Sequence, residues 1–295
     1  MDMRILAATD GSPESVAALA TAARLLKPSD RTIDLLCVAP RFSKLQRHRE
    51  QYERRILRET TQILEKARRS IPPGSIVHLR SAIGSAARVI VHRMGDYDLT
   101  VIGPKGVGAK KNAGLGPVAS RVVEHARGPL LIAREFRDEG GFRALFAVDG
   151  SAASCRAVET CIFLFDLTDA EICLMHVAET PWVHIGLQKD WESYDEEDKE
   201  NSEAGSMEKE LVSEGEVIIE KTRDLLRDHA TSVSTRIDEG NPADAILSEA
   251  DRGQYDLIVV GATGTQDLKH MMLGSVSTTI AWNASASVLI VRESE

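Results

Sequence analysis

The sequence predicts an α/β protein made of two copies of one domain, each a five-stranded parallel sheet (order 3-2-1-4-5) with helices on both faces. Three observations support this fold class. Short apolar runs alternate with helical stretches, which is typical of βαβ units and a parallel sheet. The series of elements restarts after a polar, glycine-rich stretch at residues 137–141. A chain of 295 residues is also long enough for two domains.

The first copy contains five predicted strands and four helical stretches. The strands are predicted at residues 4–9, 32–38, 75–79, 98–102 and 129–133, and the helices at 15–26, 41–70, 85–94 and 117–126. After the first strand, Ser12 suits a helix N-cap, Pro13 the first helical position and Glu14 the first turn. The breakers at residues 72–74 end the long second helix.

The second copy repeats the first in three separate stretches. Residues 144–151, 255–261 and 288–293 repeat residues 5–12, 97–103 and 130–135. The offset between the copies grows from 139 residues at Asp10 and Asp149 to 158 at Gly103 and Gly261, a difference of 19. We expect the extra residues in the polar stretch at 189–206. An internal repeat this regular predicts two domains, at residues 1–137 and 141–295.

The fifth strand of each copy is expected at an edge of its sheet. Residues 130–133 and 288–291 are apolar and contain no proline, so two such edges invite pairing with each other. The linker at residues 135–142 could span about 26 Å when extended. The sequence therefore predicts an intrachain pseudo-dimer joined through strand 5. A homodimer of whole chains would need another surface.

Composition and charge exclude several classes of function. With 45 acidic and 36 basic residues, the net charge of −9 argues against general nucleic-acid binding. No apolar run is long enough to cross a membrane. Because the first predicted strand begins near Arg4, no signal peptide is expected, and we expect a cytoplasmic protein. The four cysteines have no zinc-ligand spacing and suit structural thiols in a reducing compartment.

The two long helical regions carry opposite charge. Residues 41–69 contain ten Arg or Lys and four Glu, whereas residues 189–220 contain thirteen acidic residues and three Lys. Two solvated helix faces are the favoured interpretation. The alternative is electrostatic steering between the two halves or between chains.

The second copy contains a strand, a glycine loop and a helix start in succession. The apolar run at residues 257–260 leads to Gly261 and Gly264, and a helix is predicted from Ser275. Glycines permit close approach of the backbone to a ligand, and the helix start offers free N–H groups to a phosphate. Ser275 and Ser277 add hydroxyl donors. The strand order places this loop beside Asp149 and Val177, where strand order reverses.

The first copy keeps the glycines of this pattern but not the hydroxyls. Gly103, Gly106 and Gly116 have the same spacing, but Pro117 replaces the first serine and Ala119 the second. Proline also removes an N–H, although it suits a helix start. We expect an impaired or vacant first site. Each residue also has a plain structural explanation, such as a helix cap for the aspartate, but the joint spacing favours a binding site.

The spacing Gly261-x2-Gly264-x9-Gly274-Ser275 resembles the ATP-binding signature of the universal stress protein family, in its nucleotide-binding subclass. The paired Ala-x-Asp strand ends, the two Tyr-Asp-Leu-x-Val-x-Gly strands and the final Leu-Ile-Val-Arg strand match as well. The resemblance covers the whole chain as a tandem of two domains. It implies Rossmann-like domains that bind ATP, or AMP or ADP, with Mg²⁺ or Mn²⁺ as candidate metal ions.

The resemblance also implies roles for residues of both copies. In the second copy, Asp149 and the backbone of Val177 would meet the adenosine. The residues implied there are Ala147, Val148, Asp149, Val177, Gly261, Thr263, Gly264, Gly274, Ser275, Val276 and Ser277, with the last four on the phosphates. The weaker first site would contain Thr9, Asp10, Val38, Gly103, Gly106 and Gly116. Lys110 or Lys111 could reach phosphates there.

The leading hypothesis is an ATP- or AMP-binding regulatory protein of the stress response that acts on an unknown protein partner. A slow ATPase or a nucleotidyl-transfer enzyme is the first alternative, with Asp267 and His270 as possible bases. A nucleotide-independent interaction scaffold is the second. No catalytic residue and no set of protein metal ligands are predicted, and Ala109 stands where a P-loop needs lysine.

Overall fold

The structure is a computed structural model that describes residues 3–27, 31–41, 49–108, 114–136, 141–179, 203–264 and 273–292. The strands are β1 (Met3–Ala8), β2 (Arg31–Ala39), β3 (Ile76–Ile83), β4 (Leu99–Ile102), β5 (Leu130–Ile132), β6 (Arg143–Ala147), β7 (Glu171–Ala178), β8 (Ser232–Glu239), β9 (Leu257–Gly261) and β10 (Ser287–Val291). The helices in these ranges are α1 (Pro13–Leu25), α2 (Arg49–Arg68), α3 (Ala86–Met94), α4 (Pro117–Glu124), α5 (Ala152–Leu164), α6 (Glu203–Leu226), α7 (Pro242–Arg252) and α8 (Ser275–Asn283).

All ten strands belong to one sheet of order β3-β2-β1-β4-β5-β10-β9-β6-β7-β8. Within each half the pairs are parallel, and the order is 3-2-1-4-5 in both. The predicted fold class and strand order are therefore confirmed. Two apolar layers cover the faces of the sheet, and each layer is continuous across both halves.

The two halves meet at an antiparallel pair between β5 and β10, as the apolar edges predict. Leu131 lies opposite Leu289, and both side chains are fully buried. Arg134, just after β5, donates to the carbonyl oxygens of Ala286 and Ala281 at 2.9 and 2.7 Å. Burial lowers the pKa of Arg134 to about 10, so the guanidinium stays charged at neutral pH.

The turn between the first strand and the first helix of each half is built in the same way. Ser12 and Ser151 accept hydrogen bonds from the backbone N–H of the residue three positions on, at 3.2 and 3.1 Å. These serines are the N-caps of α1 and α5, and the prediction made for Ser12 is confirmed. Gly150 in this turn has φ of +76°, which a side chain rarely adopts.

Most predicted boundaries in the described residues differ from the structure by one or two residues, and the end of β3 differs most. β3 extends to Ile83, four residues beyond the expected end, because it pairs with β2 along its whole length. Its side chains alternate between half-buried and exposed, so no apolar run marks the strand. The described part of the long basic helix begins at Arg49. Residues 42–48 lie outside the described residues, as do residues 189–202 of the polar stretch at 189–206 that was proposed to hold the longer connection. The last residues of that stretch, 203–206, begin α6.

All four cysteines are free thiols, and Cys37, Cys161 and Cys173 are buried. Burial raises the pKa of Cys37 to about 11 and raises that of Cys161 further. Thiols in this state are poor nucleophiles. Their positions suit the structural role expected from sequence.

Candidate functional site

The first domain contains a cavity of about 230 Å³ at the carboxyl ends of β1, β2 and β4. It opens between these strand ends and the N-terminus of α4. All six residues of the weaker predicted site line it, namely Thr9, Asp10, Val38, Gly103, Gly106 and Gly116. The six residues that the sequence grouped therefore surround one cavity. Their binding of a ligand stays a prediction.

The carboxylate of Asp10 is held by donors of the protein itself. Its Oδ1 accepts from the Ser12 N–H at 3.0 Å and the Ser12 hydroxyl at 2.6 Å. Its Oδ2 accepts from the Val107 N–H at 2.7 Å. Burial alone would raise the pKa of Asp10, but these hydrogen bonds outweigh burial and lower it below the usual range. Asp10 therefore stays ionised and ties β1 to the loop after β4.

The hydrogen bond between Val107 and Asp10 requires glycine at position 106. A Cβ at Gly106 would collide with Oδ2 of Asp10, so only glycine lets the loop lie on the carboxylate. At Gly103 a Cβ would come within 3.2 Å of the Ser15 Cα, which indicates close packing of the loop on α1. The glycines that sequence analysis assigned to ligand contact thus also serve the packing of the loop.

The N-terminus of α4 faces the same cavity with few polar groups. Gly116 donates its N–H to Pro104, and Pro117 begins the helix without an N–H of its own. Ser120 donates the first intrahelical N–H bond, to Gly116. Only the N–H groups of Val118 and Ala119 therefore remain without an intrahelical acceptor in this first turn. The first turn of α4 thus lacks the N–H and the hydroxyl that Pro117 and Ala119 cannot provide, as the sequence indicates.

The second domain brings its loop glycines against the first strand and helix in a similar way. Oδ1 of Asp149 accepts from the Ser151 N–H at 3.0 Å. A Cβ at Gly264 would lie 3.0 Å from Oδ2 of Asp149, so this loop also crosses the aspartate. A Cβ at Gly261 would lie 2.8 Å from the backbone of Ala153, closer than real Cβ atoms approach.

The N-terminus of α8 differs from that of α4 in the donors it presents. Thr278 donates the first intrahelical bond, to Gly274, which leaves the N–H groups of Ser275, Val276 and Ser277 without an intrahelical acceptor. Ser275 is exposed and Gly274 provides no side-chain cap. These three consecutive N–H groups form an opening suited to an anion.

Ser277 occupies a different place from that expected of a phosphate ligand. Its side chain is buried, and its hydroxyl lies 3.0 Å from the Ala262 carbonyl oxygen and 3.2 Å from that of Gly274. Its single proton is therefore engaged in fixing the loop to the helix. The hydroxyl of Ser277 therefore has a structural role, and its backbone N–H is the group that stays a predicted phosphate donor.

The remaining predicted residues lie along the same edge of the sheet. Val177 is half-buried near the end of β7, while Ala147 ends β6 and Val148 follows it. Val148 donates its N–H to Met175 on β7 at 2.9 Å. Thr263 is half-buried between Ala262 and Gly264. The predictions made for Lys110, Lys111, Asp267 and His270 concern residues outside the described ranges.

Sequence reasoning missed several residues of the first cavity. Lys105 and Val107 from the loop and Ala86 and Ile90 from α3 also line it. The spacing of Ala86 and Ile90, four residues apart on a helix, is the one signal that could have placed both on a single face. The bond from Val107 to Asp10 joins residues 97 positions apart, and no local pattern announces it.

The described residues contain no group of three or more His, Cys, Asp or Glu that could hold a metal ion. None of the helices in the described ranges is long and apolar enough to cross a membrane.

Each half has a strand–loop–helix corner at the same place, formed by β4, its loop and α4 in the first half and by β9, its loop and α8 in the second. The fold and these two corners define a tandem α/β protein. The model of the universal stress protein family matches residues 1–134 and 142–292. The chain therefore belongs to the universal stress protein family, in a tandem form.

Relatives of one and of two domains agree with this assignment. A universal stress protein of Mycolicibacterium smegmatis is 25% identical and is matched over 98% of this chain and 96% of its own length. Universal stress protein YxiE of Bacillus subtilis is 31% identical, over 51% of this chain and 98% of its own length. A universal stress protein structure from Archaeoglobus fulgidus shares the fold, with a TM-score of 0.62, 22% identity and 98% coverage of both chains.

Proposed function

We propose that the second domain binds an adenine nucleotide, namely ATP, ADP or AMP. We further propose that the protein regulates a partner protein according to whether nucleotide is bound. One observation carries the proposal. Three consecutive N–H groups at the start of α8 have no intrahelical acceptor, and they lie at the carboxyl end of β9, next to β6 and Asp149. A helix N-terminus at the point where strand order reverses is a common phosphate site in α/β sheets.

The phosphates would occupy the start of α8. The N–H groups of Ser275, Val276 and Ser277 would donate to them, and the exposed hydroxyl of Ser275 would add one donor. Hydrogen bonds to a charged group contribute about 1.5–3 kcal/mol each. Mg²⁺ or Mn²⁺ would enter as an ion carried by the phosphates.

The adenosine would lie toward Asp149 and Val177. Asp149 is at the end of β6, where its carboxylate could accept from the ribose hydroxyls, and the backbone of Val177 borders the same edge. Gly261 and Gly264 keep this path open, because a side chain at either position would press on α5 or on Asp149. The first cavity would bind nucleotide more weakly, since α4 begins with Pro117.

The first experiment identifies the ligand. Protein is purified, denatured, and the released nucleotide is identified and counted per chain. Calorimetry with ATP, ADP and AMP, with and without Mg²⁺, then gives affinities for the nucleotide-free protein. No released nucleotide and no binding would overturn the proposal and favour the scaffold alternative.

A matched pair of variants then tests the site. Ser275→Ala removes only the hydroxyl, whereas Ser275→Pro also removes the N–H and is compatible with a first helical position. We expect both variants to fold and the proline variant to bind ATP more weakly than the alanine variant. Equal ATP affinities of the two variants would mean that the N–H of residue 275 does not bind phosphate.

A turnover assay distinguishes regulation from catalysis. ATP hydrolysis well above about one per minute, against typical enzyme values of about 1–10³ per second, would favour the slow-ATPase alternative. We expect turnover below that limit.

A further inference from the structure

The imidazole of His176 connects the second site to the helix that covers it. Its Nδ1 lies 2.9 Å from the carbonyl oxygen of Val148, the residue just before Asp149. Because a carbonyl oxygen only accepts, Nδ1 carries the hydrogen and donates it. The N–H of Val148 in turn donates to Met175. Adjacent residues of β7 thus hold both polar groups of Val148 and fix the backbone that leads to Asp149.

The other side of the ring rests on α6. Gly215 is a buried residue in the middle of this helix, and a Cβ there would lie 2.6 Å from Cδ2 of His176 and 3.3 Å from Nε2. Real Cβ atoms essentially never come so close. Glycine weakens the interior of a helix relative to alanine. Its presence here is explained by the ring that it accommodates.

The same helix touches the Asp149 turn at a second point. A Cβ at Gly150 would lie 2.9 Å from Cγ1 of Ile218, one turn beyond Gly215 along α6. The turn is therefore contacted directly by Ile218 and, through His176, by the backbone of Gly215. A shift of α6 would move both contacts.

The first domain has the direct contact but lacks the ring. Ile63 lies on Gly11 as Ile218 lies on Gly150. Cys37, however, occupies the place of His176, and Thr60 the place of Gly215, three residues before the isoleucine. The Thr60 hydroxyl donates to Ser81 at 2.9 Å. The His176–Gly215 contact thus distinguishes the domain with the richer phosphate site.

We infer that His176 is a positioning residue for the second nucleotide site and that, with Gly215, it couples the packing of α6 to the affinity of that site. This inference rests on the proposed function. Coupling is reciprocal, so bound nucleotide also stabilises α6. The helix exposes acidic side chains to solvent, namely Glu210, Glu214, Glu216 and Glu220. Nucleotide binding would thereby change the packing of a helix whose acidic surface a partner can contact.

The test compares ATP affinity, measured by calorimetry, in a set of full-length variants. Gly215→Ala should weaken binding about tenfold, within the usual range of coupling between sites, because the new Cβ displaces the ring. Ser213→Ala, an exposed position on the same helix, is the control and should bind normally. Adding His176→Asn to Gly215→Ala should restore affinity, because the asparagine amide places a donor where Nδ1 was and is smaller than the ring.

Adding His176→Leu to Gly215→Ala should not restore affinity, since leucine relieves the clash but cannot donate. Equal recovery with leucine and asparagine would overturn the positioning role, and normal affinity of Gly215→Ala would overturn the coupling. If Gly215→Ala fails to fold, His176→Leu and His176→Asn alone make the same comparison. Wild-type protein that binds no nucleotide would instead overturn the proposed function, and the coupling with it.

Hydrogen exchange of the wild-type protein provides an independent readout. ATP should slow exchange of α6 amides, with α2 of the first domain as the internal reference. The effect should be lost in Gly215→Ala. Equal protection of α6 and α2, or protection that persists in the variant, would contradict the coupling.

Discussion

The two strand–loop–helix corners share one backbone plan and differ in the donors that they present. In the first, Val107 closes the loop onto Asp10, and α4 starts with a proline. In the second, α8 starts with an exposed serine and three N–H groups without an intrahelical acceptor. Repetition of the fold thus preserves the packing, while two or three residues change the donors at the start of the helix.

Transplanting the first corner into the second should have the largest effect. Ser275→Pro with Ser277→Ala removes one N–H and two hydroxyls, of which the N–H and the hydroxyl of Ser275 are the proposed phosphate donors. At about 1.5–3 kcal/mol for each of these two bonds to phosphate, we expect ATP affinity to fall about a hundredfold or more. Calorimetry checks this.

Ser277→Ala alone should change ATP affinity little and lower the free energy of unfolding by about 1 kcal/mol, because the Ser277 hydroxyl bonds to Ala262 and Gly274.

The reverse transplant is a control on the same idea. Pro117→Ser with Ala119→Ser should give the first cavity measurable or tighter ATP binding in a chain whose second site carries Ser275→Pro. Unchanged binding would mean that the loop closure on Asp10, rather than the donors of α4, limits the first site.

The junction arginine should contribute strongly to stability. Arg134→Ala leaves the carbonyl oxygens of Ala286 and Ala281 without their donor in a buried place. Each unsatisfied group costs about 1–3 kcal/mol, so the free energy of unfolding should fall by about 2–4 kcal/mol in urea titrations. Arg121→Ala, at an exposed position on α4, should be nearly neutral. Equal effects would contradict the junction's role.

The loop glycines should differ in their tolerance of a methyl group. Gly261→Ala places a Cβ 2.8 Å from backbone atoms of α5, whereas the closest atom for Gly103→Ala lies at 3.2 Å. Overpacking costs about 1–3 kcal/mol, and we expect Gly261→Ala at the upper end and Gly103→Ala at the lower. Thermal unfolding of the two variants compares them. A larger loss for Gly103→Ala would overturn this ranking.

The smallest effect is the pH dependence that Asp10 adds to stability. Its pKa is lowered in the folded protein from an ordinary value of 3.8. Its contribution is therefore present above about pH 4 and is lost as pH falls through the folded pKa. The stability difference between wild type and Asp10→Asn should shrink between pH 5 and pH 3. A constant difference would mean that Asp10 is not held as an ion by its donors.

The tandem α/β architecture can be predicted from the sequence, because hydrophobic periodicity and the internal repeat indicate the local elements. The pairing of β5 with β10 can be predicted as well, because it buries the apolar edges of both strands. The sequence also placed Asp10 and Gly106 together, because strand order brings the carboxyl ends of β1 and β4 side by side. Three contacts are seen only in the tertiary structure. They are the hydrogen bonds of the buried Ser277 hydroxyl, the hydrogen bond from Val107 to Asp10, and the packing of His176 against Gly215. These contacts join residues distant in the chain, and their geometry depends on how helices pack on the completed sheet, which no local pattern encodes.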